Sequence, residues 1–177
     1  IRGTPTRTLA ISPDGTQLVY VAPDPATRDD QPDLRSGGHL QLRRLSSLEV
    51  RDLPGTDGAS QPFFSPDGNW VAFFTRKDLR KISVSSGNPI TLAENITEGA
   101  QACFGVWTQD DTIIFSATAR GVRRVSAEGG AVTMLASEGS QPALVPSSPA
   151  VLISASAGVN RQIEAIMPDS GKRTLVL

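Results

Sequence analysis

The chain has 177 residues, 38% of them hydrophobic and 20% charged, with a formal net charge of −1. That near-neutral balance excludes a nucleic-acid binder that works by bulk charge, because such proteins carry a clear basic excess. No apolar run reaches the roughly 18 residues a membrane helix needs, and a single cysteine, Cys103, with a single histidine, His39, excludes an internal disulfide, a thiolate zinc site and a multi-histidine metal site within the chain.

Taken in order, the first elements are a strand at Leu9–Ser12, the turn Ser12-Pro13-Asp14-Gly15 and a strand at Leu18–Val21. An insertion, Pro23 to Gly38, separates these from Leu40–Leu45, which turns near Ser47 into Val50–Leu53. The plan then returns. Phe63-Phe64-Ser65-Pro66-Asp67-Gly68 leads into Trp70–Phe74, and Leu79–Val84 turns at Ser86-Gly87-Asn88 into Ile90–Leu92. A third copy runs Val106-Trp107-Thr108-Gln109-Asp110-Asp111, Ile113–Phe115, Val122–Ser126 and Val132–Leu135. A fourth, degenerate copy runs Ala143–Ser148, Val151–Ile153, Ile163–Met167 and Thr174–Val176. The proline position falls at 13, 66, 109 and 146, spacings of 53, 43 and 37 residues. The middle spacing is that of a four-stranded blade, the first is lengthened by the insertion, and the last has shorter loops.

The turn chemistry explains the repeat. In Ser-Pro-Asp-Gly the proline presets φ, the aspartate bonds backbone beyond it, and the glycine takes the left-handed position. Flanked by β-branched and aromatic runs, such a turn signals a hairpin. No segment shows capped helical periodicity. The expected fold is therefore all-β: a β-propeller of four-stranded antiparallel blades, about four of them, over residues 1–177, with blades near 8–53, 59–93, 101–136 and 141–177. The fourth blade has Pro146-Ser147-Ser148 where the turn glycine is expected, so its hairpin should be irregular.

The Ser-Pro-Asp-Gly copies resemble the TolB-type β-propeller repeat. The stretches Gly3–Gly15, Leu53–Ala59 and Phe63–Gly68 are further similar to the propeller found C-terminal to bacterial membrane-anchored serine/threonine kinases. The resemblance covers nearly the whole chain. It implies a non-catalytic interaction or sensor module, periplasmic or extracellular, that binds a protein or peptide, or a small acidic ligand, without a cofactor. It also implies a second reading, the propeller portion of an enzyme, because similar propellers gate peptidase domains and related ones are lactonases, phytases or sugar lyases. Members of the family usually carry six or more blades. The chain, which begins at Ile1 without a methionine, is thus expected to be a segment of a larger propeller, or an open array completed as a homo-oligomer by a second copy.

Within a blade, the loop between strands two and three and the inter-blade connection share one end, which we call the loop end; the Pro-Asp-Gly turns lie at the other. Asp14, Asp67 and Asp110 recur at the turn end and are read as caps on their own backbone rather than metal ligands. The insertion, with Asp24, Arg28, Asp29, Asp30, Asp33 and Arg35, lies at the loop end, where function concentrates. Its composition is that of a solvated loop, and it lacks the spacing of a recognised calcium site. The candidate binding residues are Arg43 and Arg44, Arg80 and Lys81, and Arg123 and Arg124, which share an apolar-basic-basic-apolar pattern early in the third strand. They form either an arc of positive charge for an acidic ligand or stems packed between blades with their heads in water or on carboxylates. The structural reading is favoured. No catalytic residue and no metal ligand is assigned: there is no nucleophile elbow, no phosphate loop, and the one imidazole, His39, is placed in the insertion. Cys103 is expected to be a small buried hydrophobe, and Trp70 and Trp107 to be core. Asn95-Ile96-Thr97 matches a glycosylation sequon, relevant only to a eukaryotic secretory chain.

Overall fold

A computed structural model of the chain describes residues 8–23, 38–47, 49–85, 87–96, 103–117, 121–157 and 160–176. Among the described residues, sixteen strands form four separate four-stranded antiparallel sheets, each wound in sequence order. Blade 1 comprises β1 (Leu9–Ile11), β2 (Gln17–Ala22), β3 (His39–Arg44) and β4 (Val50–Asp52). Blade 2 comprises β5 (Ser60–Phe64), β6 (Trp70–Phe74), β7 (Leu79–Ser83) and β8 (Ile90–Ala93). Blade 3 comprises β9 (Cys103–Trp107), β10 (Thr112–Ala117), β11 (Val122–Ser126) and β12 (Thr133–Ala136). Blade 4 comprises β13 (Ser140–Leu144), β14 (Val151–Ala157), β15 (Asn160–Ile166) and β16 (Arg173–Leu175). This is the all-β propeller fold that the turn repeats predict.

The chain divides into two compact units, Ile1–Gln101 and Ala102–Leu177. In the first unit, β1 lies beside β5. Directly opposed residues in an antiparallel sheet point to the same side, so the pairing register sorts each blade into two faces. Ala10, Val19 and Leu42 line up on one face of blade 1, joined by the Val21–Leu40 pair. They pack on Phe64, Val71, Phe73 and Ile82 of blade 2. Val19, Leu40, Val71, Phe73 and Ile82 are fully buried. Beyond the apolar contact, Arg51 donates to the carbonyls of Ser85 and Val84 in blade 2. Thr56 in the inter-blade connection donates to the Leu53 carbonyl and accepts from the Leu40 amide.

The second unit repeats the device. β9 lies beside β13, and Val106, Ile114 and Val122 of blade 3 pack on Val151, Ile153 and Ile166 of blade 4. Arg124 donates to the Pro168 carbonyl of blade 4, and the Gln141 amide donates to Ser116 Oγ of blade 3. In blades 2 and 4 the first strand is bulged at a Gln-Pro pair: Gln61 (φ 52°) and Gln141 (φ 53°) both take the left-handed conformation where the register shifts.

Backbone crowding and a left-handed backbone coincide at Gly121, which stands just before β11 with φ +86°. A Cβ there would stand 2.2 Å from the Ala136 carbonyl oxygen. Gly121→Ala is therefore expected to cost about 3 kcal/mol and lower the melting temperature by about 6–12 °C. Gly130→Ala, at φ +110° but with nothing within 4 Å of the new Cβ, should cost only about 1–2 kcal/mol. Circular-dichroism melts of the two variants check the contrast, and equal losses would contradict it.

Candidate functional site

At the turn end the polar side chains are engaged in holding the hairpins. Ser12 Oγ donates to Asp14 Oδ1 at 2.6 Å and accepts from the Gln17 amide at 2.9 Å. Asp14 also accepts from the Thr16 amide at 3.0 Å and the Thr16 hydroxyl at 2.8 Å. Blade 2 repeats this with Ser65, Asp67, Asn69 and Trp70. In both blades the hydroxyl bond, first, and the backbone amide bond, next, hold the aspartate below its ordinary value of 3.8. In blade 3 Thr108 takes the serine's place and donates to Asp110. Its turn is one residue shorter: the Thr108 amide donates to the Thr112 carbonyl, where Ser65 reaches five residues on, to Trp70. Asp111 (φ 56°) occupies the left-handed position and accepts from Trp107 Nε1 at 3.1 Å. Blade 4 keeps the Ser148-to-Val145 backbone bond, with Ser148 at the glycine's position and the left-handed conformation one residue earlier, at Ser147 (φ 61°).

The candidate cations do not form one series. Leu79 opposes Phe74 and Val122 opposes Ser116, so Arg80 and Arg123 occupy one repeat position and Lys81 and Arg124 the next. In blade 1 the residue matching Leu79 is Leu40, opposite Val21. Gln41 and Leu42 therefore hold those two positions. Arg43 and Arg44 fall at the end of β3 toward the turns, opposite Leu18 and Gln17. That is a correction to their expected place early in the strand; its cause is that β3 already begins at His39.

Each cation has its own surroundings. Lys81 is buried, with Nζ 4.6 Å from the centre of the half-buried Trp70 ring. Arg124 is tied to the Pro168 carbonyl and donates through Nε to Thr133 Oγ1 at 3.2 Å. Arg80 Nη2 pairs with Asp78 Oδ2 at 2.9 Å, while its Nε is buried without a hydrogen-bond partner. Arg43 Nε is likewise buried and unpartnered, Arg123 is half-buried and Arg44 exposed. At the loop end of blade 2, Asp78 Oδ1 also accepts from the Asn95 amide at 3.2 Å.

Sequence reasoning missed a polar cluster in blade 1. His39 sits in β3 opposite Ala22 rather than in the insertion. Its Nε2 is 3.3 Å from Asp52 Oδ1, which also accepts from Gln41 Nε2 at 2.8 Å. The signal was the spacing of His39 and Gln41, two residues apart on one strand face. Cys103 is buried, and desolvation pushes its thiol up to about 11. Trp107 is buried as expected of a core residue. Among the described residues no group of three or more His, Cys, Asp or Glu is placed to hold a metal. Most of the insertion, Asp24 through Arg35 included, and Thr97 of the sequon lie outside the described residues.

By sequence, no family model and no curated protein matches the chain. By structure, its likeness is to β-propellers. TolB from Acinetobacter baumannii matches with a TM-score of 0.70 and 17% identity over 97% of this chain and 43% of that one. A putative TolB from Agrobacterium tumefaciens matches at 0.73 and 15% identity over 96% and 64%. An oligogalacturonate lyase from Vibrio parahaemolyticus matches at 0.68 and 12% identity over 100% and 55%. At such identities the likeness shows the fold, a TolB-like β-propeller, and the chain spans less than two thirds of each of these structures.

The depressed turn carboxylates carry a pH signature. A group whose folded pKa is lowered contributes stability above its unfolded pKa and loses it as pH falls through the folded value. The melting-temperature gap between wild type and Asp67→Ala should therefore be largest at neutral pH and shrink below pH 3.8, the ordinary value. A gap that stays constant down to acid pH would contradict the assignment.

Proposed function

We propose that the chain is a non-catalytic interaction or sensor module, a propeller segment of a longer bacterial protein that works outside the cytoplasm. The loop end of its blades takes a protein or peptide partner, or a small acidic ligand. The observation that carries this reading is the division of labour between the two ends. The turn-end carboxylates are spent on their own hairpins, whereas the cations Arg80 and Arg123 stand early in the third strands, at the loop end. Lys81 and Arg124 are engaged toward the turn end instead, one over Trp70's ring and the other on the Pro168 carbonyl of blade 4. Arg43 and Arg44, at the opposite end of β3, would act on a ligand only as a separate patch.

The resemblance to kinase-linked and TolB-like propellers supports the sensor role and the extracytoplasmic setting. The other reading is the propeller portion of an enzyme, a gating domain of a peptidase-type hydrolase or a lactonase- or lyase-type catalytic propeller. It rests on the structural likeness to an oligogalacturonate lyase.

Calorimetric titration with an oligoglutamate peptide and with a neutral peptide of equal length separates these readings. Saturable binding of the acidic peptide is expected, weakened about tenfold, or about 1.4 kcal/mol, in the Arg80→Ala, Arg123→Ala double variant, and weakened by salt. Equal binding of the neutral peptide, or no effect of the substitutions, would contradict the loop-end site. Release of unsaturated products from polygalacturonate would favour the enzyme reading.

A further inference from the structure

Arg80 is held in an arrangement that leaves its guanidinium incompletely satisfied. It opposes Phe73 of β6, so its stem lies on the face of blade 2 that packs on blade 1. There its Nε is buried without a hydrogen-bond partner, a costly position for a donor on a charged group. Nε and Nη2 lie on one edge of the guanidinium plane, the edge that a carboxylate or phosphate grips with two oxygens. Only Nη2 is engaged in this way, by Asp78 Oδ2 at 2.9 Å. The head keeps a route to water, because the side chain is 35% exposed.

Asp78 has a second task. Its Oδ1 accepts from the Asn95 amide at 3.2 Å, just past the end of β8, where Asn95 is left-handed with φ 53°. The next amide, that of buried Ile96, is held without a carboxylate, on the Lys77 carbonyl at 2.8 Å. The β6–β7 loop fixes Asp78 itself. The Thr75 amide donates to the Asp78 carbonyl at 2.8 Å, and the Asp78 amide donates to Thr75 Oγ1 at 3.0 Å. One carboxylate, 15% exposed and set in a closed loop, thus joins the Arg80 guanidinium to the connection that leaves blade 2.

We propose that Asp78 is a built-in competitor for the oxyanion that Arg80 takes, so that ligand binding at this loop end is coupled to release of the Asn95 amide. The proposal rests on the loop end being a site for an acidic ligand, and gives that site its regulation. In the resting protein Asp78 offers Arg80 one oxygen, because the other is spent on Asn95. A ligand carboxylate offers two. It draws the guanidinium outward, satisfies Nε together with Nη2, and takes Arg80 from Asp78. Asp78 is then an unpaired carboxylate beside a second one, and repulsion turns it toward water. The Asn95 amide loses its acceptor in the same step. Coupling of this kind is reciprocal, so removing the carboxylate at position 78 favours the ligand.

Calorimetric titration with an oligoglutamate peptide, together with amide NMR, tests the coupling. Asp78→Asn should bind the peptide about tenfold more tightly than the wild type. Glu94→Gln removes an equal charge from the exposed residue beside Asn95 and should change the affinity by about twofold or less. Arg80→Ala, added to Asp78→Asn, should abolish the gain. In the wild type, saturating peptide should shift the Asn95 amide resonance and hasten its exchange with solvent, while the Ile96 amide stays protected. This last readout needs no substitution, so it decides the question even if Asp78→Asn fails to fold. Wild-type binding with no gain in Asp78→Asn, an equal gain in Glu94→Gln, or an unmoved Asn95 amide would each overturn the coupling and leave the loop-end ligand standing. Absence of binding in both the wild type and Asp78→Asn would remove the acidic ligand itself, and the coupling with it.

Discussion

The structure depends on one constraint: a four-stranded blade cannot bury its own apolar faces and must lay them against another blade. Val19, Leu40 and Leu42 of blade 1 lose their water only because Phe64, Val71, Phe73 and Ile82 arrive from blade 2. Full burial of each such side chain is worth about 1.5–3 kcal/mol, far more than any of the exposed ion pairs, which contribute about 0–1 kcal/mol. The interface sets the strand pattern too. Small Ala10 and Ala59 sit among the large side chains of this cluster, so that the facing layers interlock. Arg51 and Arg124 then reach over the joints to carbonyls of the adjacent blade, turning long cations into cross-links rather than free charges.

Given that frame, the two ends of a blade diverge in chemistry. The turn end is fixed by a hydroxyl, a carboxylate and a left-handed residue, and three of the four blades reproduce the hydroxyl-to-carboxylate bond. Such a self-satisfied turn offers little to a ligand. The loop end is assembled from connections of unequal length, and its ionisable groups differ from blade to blade: His39 with Asp52 in blade 1 and Arg80 with Asp78 in blade 2. A scaffold of identical joints carrying unequal loops is the arrangement through which propellers and other repeat folds vary recognition without altering the core.

Much of this was legible in the sequence, because Ser-Pro-Asp-Gly followed by three apolar residues fixes turn type, strand start and register at once. The same signal was lost where the chain departs from it. After the Pro23–Gly38 insertion, nothing in the residue string marks the start of β3. The alternation Leu40, Leu42 then competes with the apolar-basic-basic-apolar reading of Leu42–Leu45. The three basic pairs consequently looked equivalent, and only the Val21–Leu40 pairing separates Arg43 and Arg44 from the rest. Lys81 was legible as a cation but not as a buried one, since its partner Trp70 lies on the neighbouring strand, where a one-dimensional pattern does not reach. The left-handed Gln61 and Gln141 were invisible for a different reason: tertiary packing, not local preference, holds a glutamine at positive φ.

The central claim is that adjoining blades within a unit are stable only as partners. Hydrogen exchange on Leu40→Ala tests it most directly, since that substitution removes a fully buried side chain at a cost of about 2–5 kcal/mol and leaves blade 2 unaltered in sequence. The account predicts that amides of β6 and β7 in blade 2 lose protection together with those of β2 and β3. Loss confined to blade 1, with β6 and β7 exchanging as in the wild type, would contradict it.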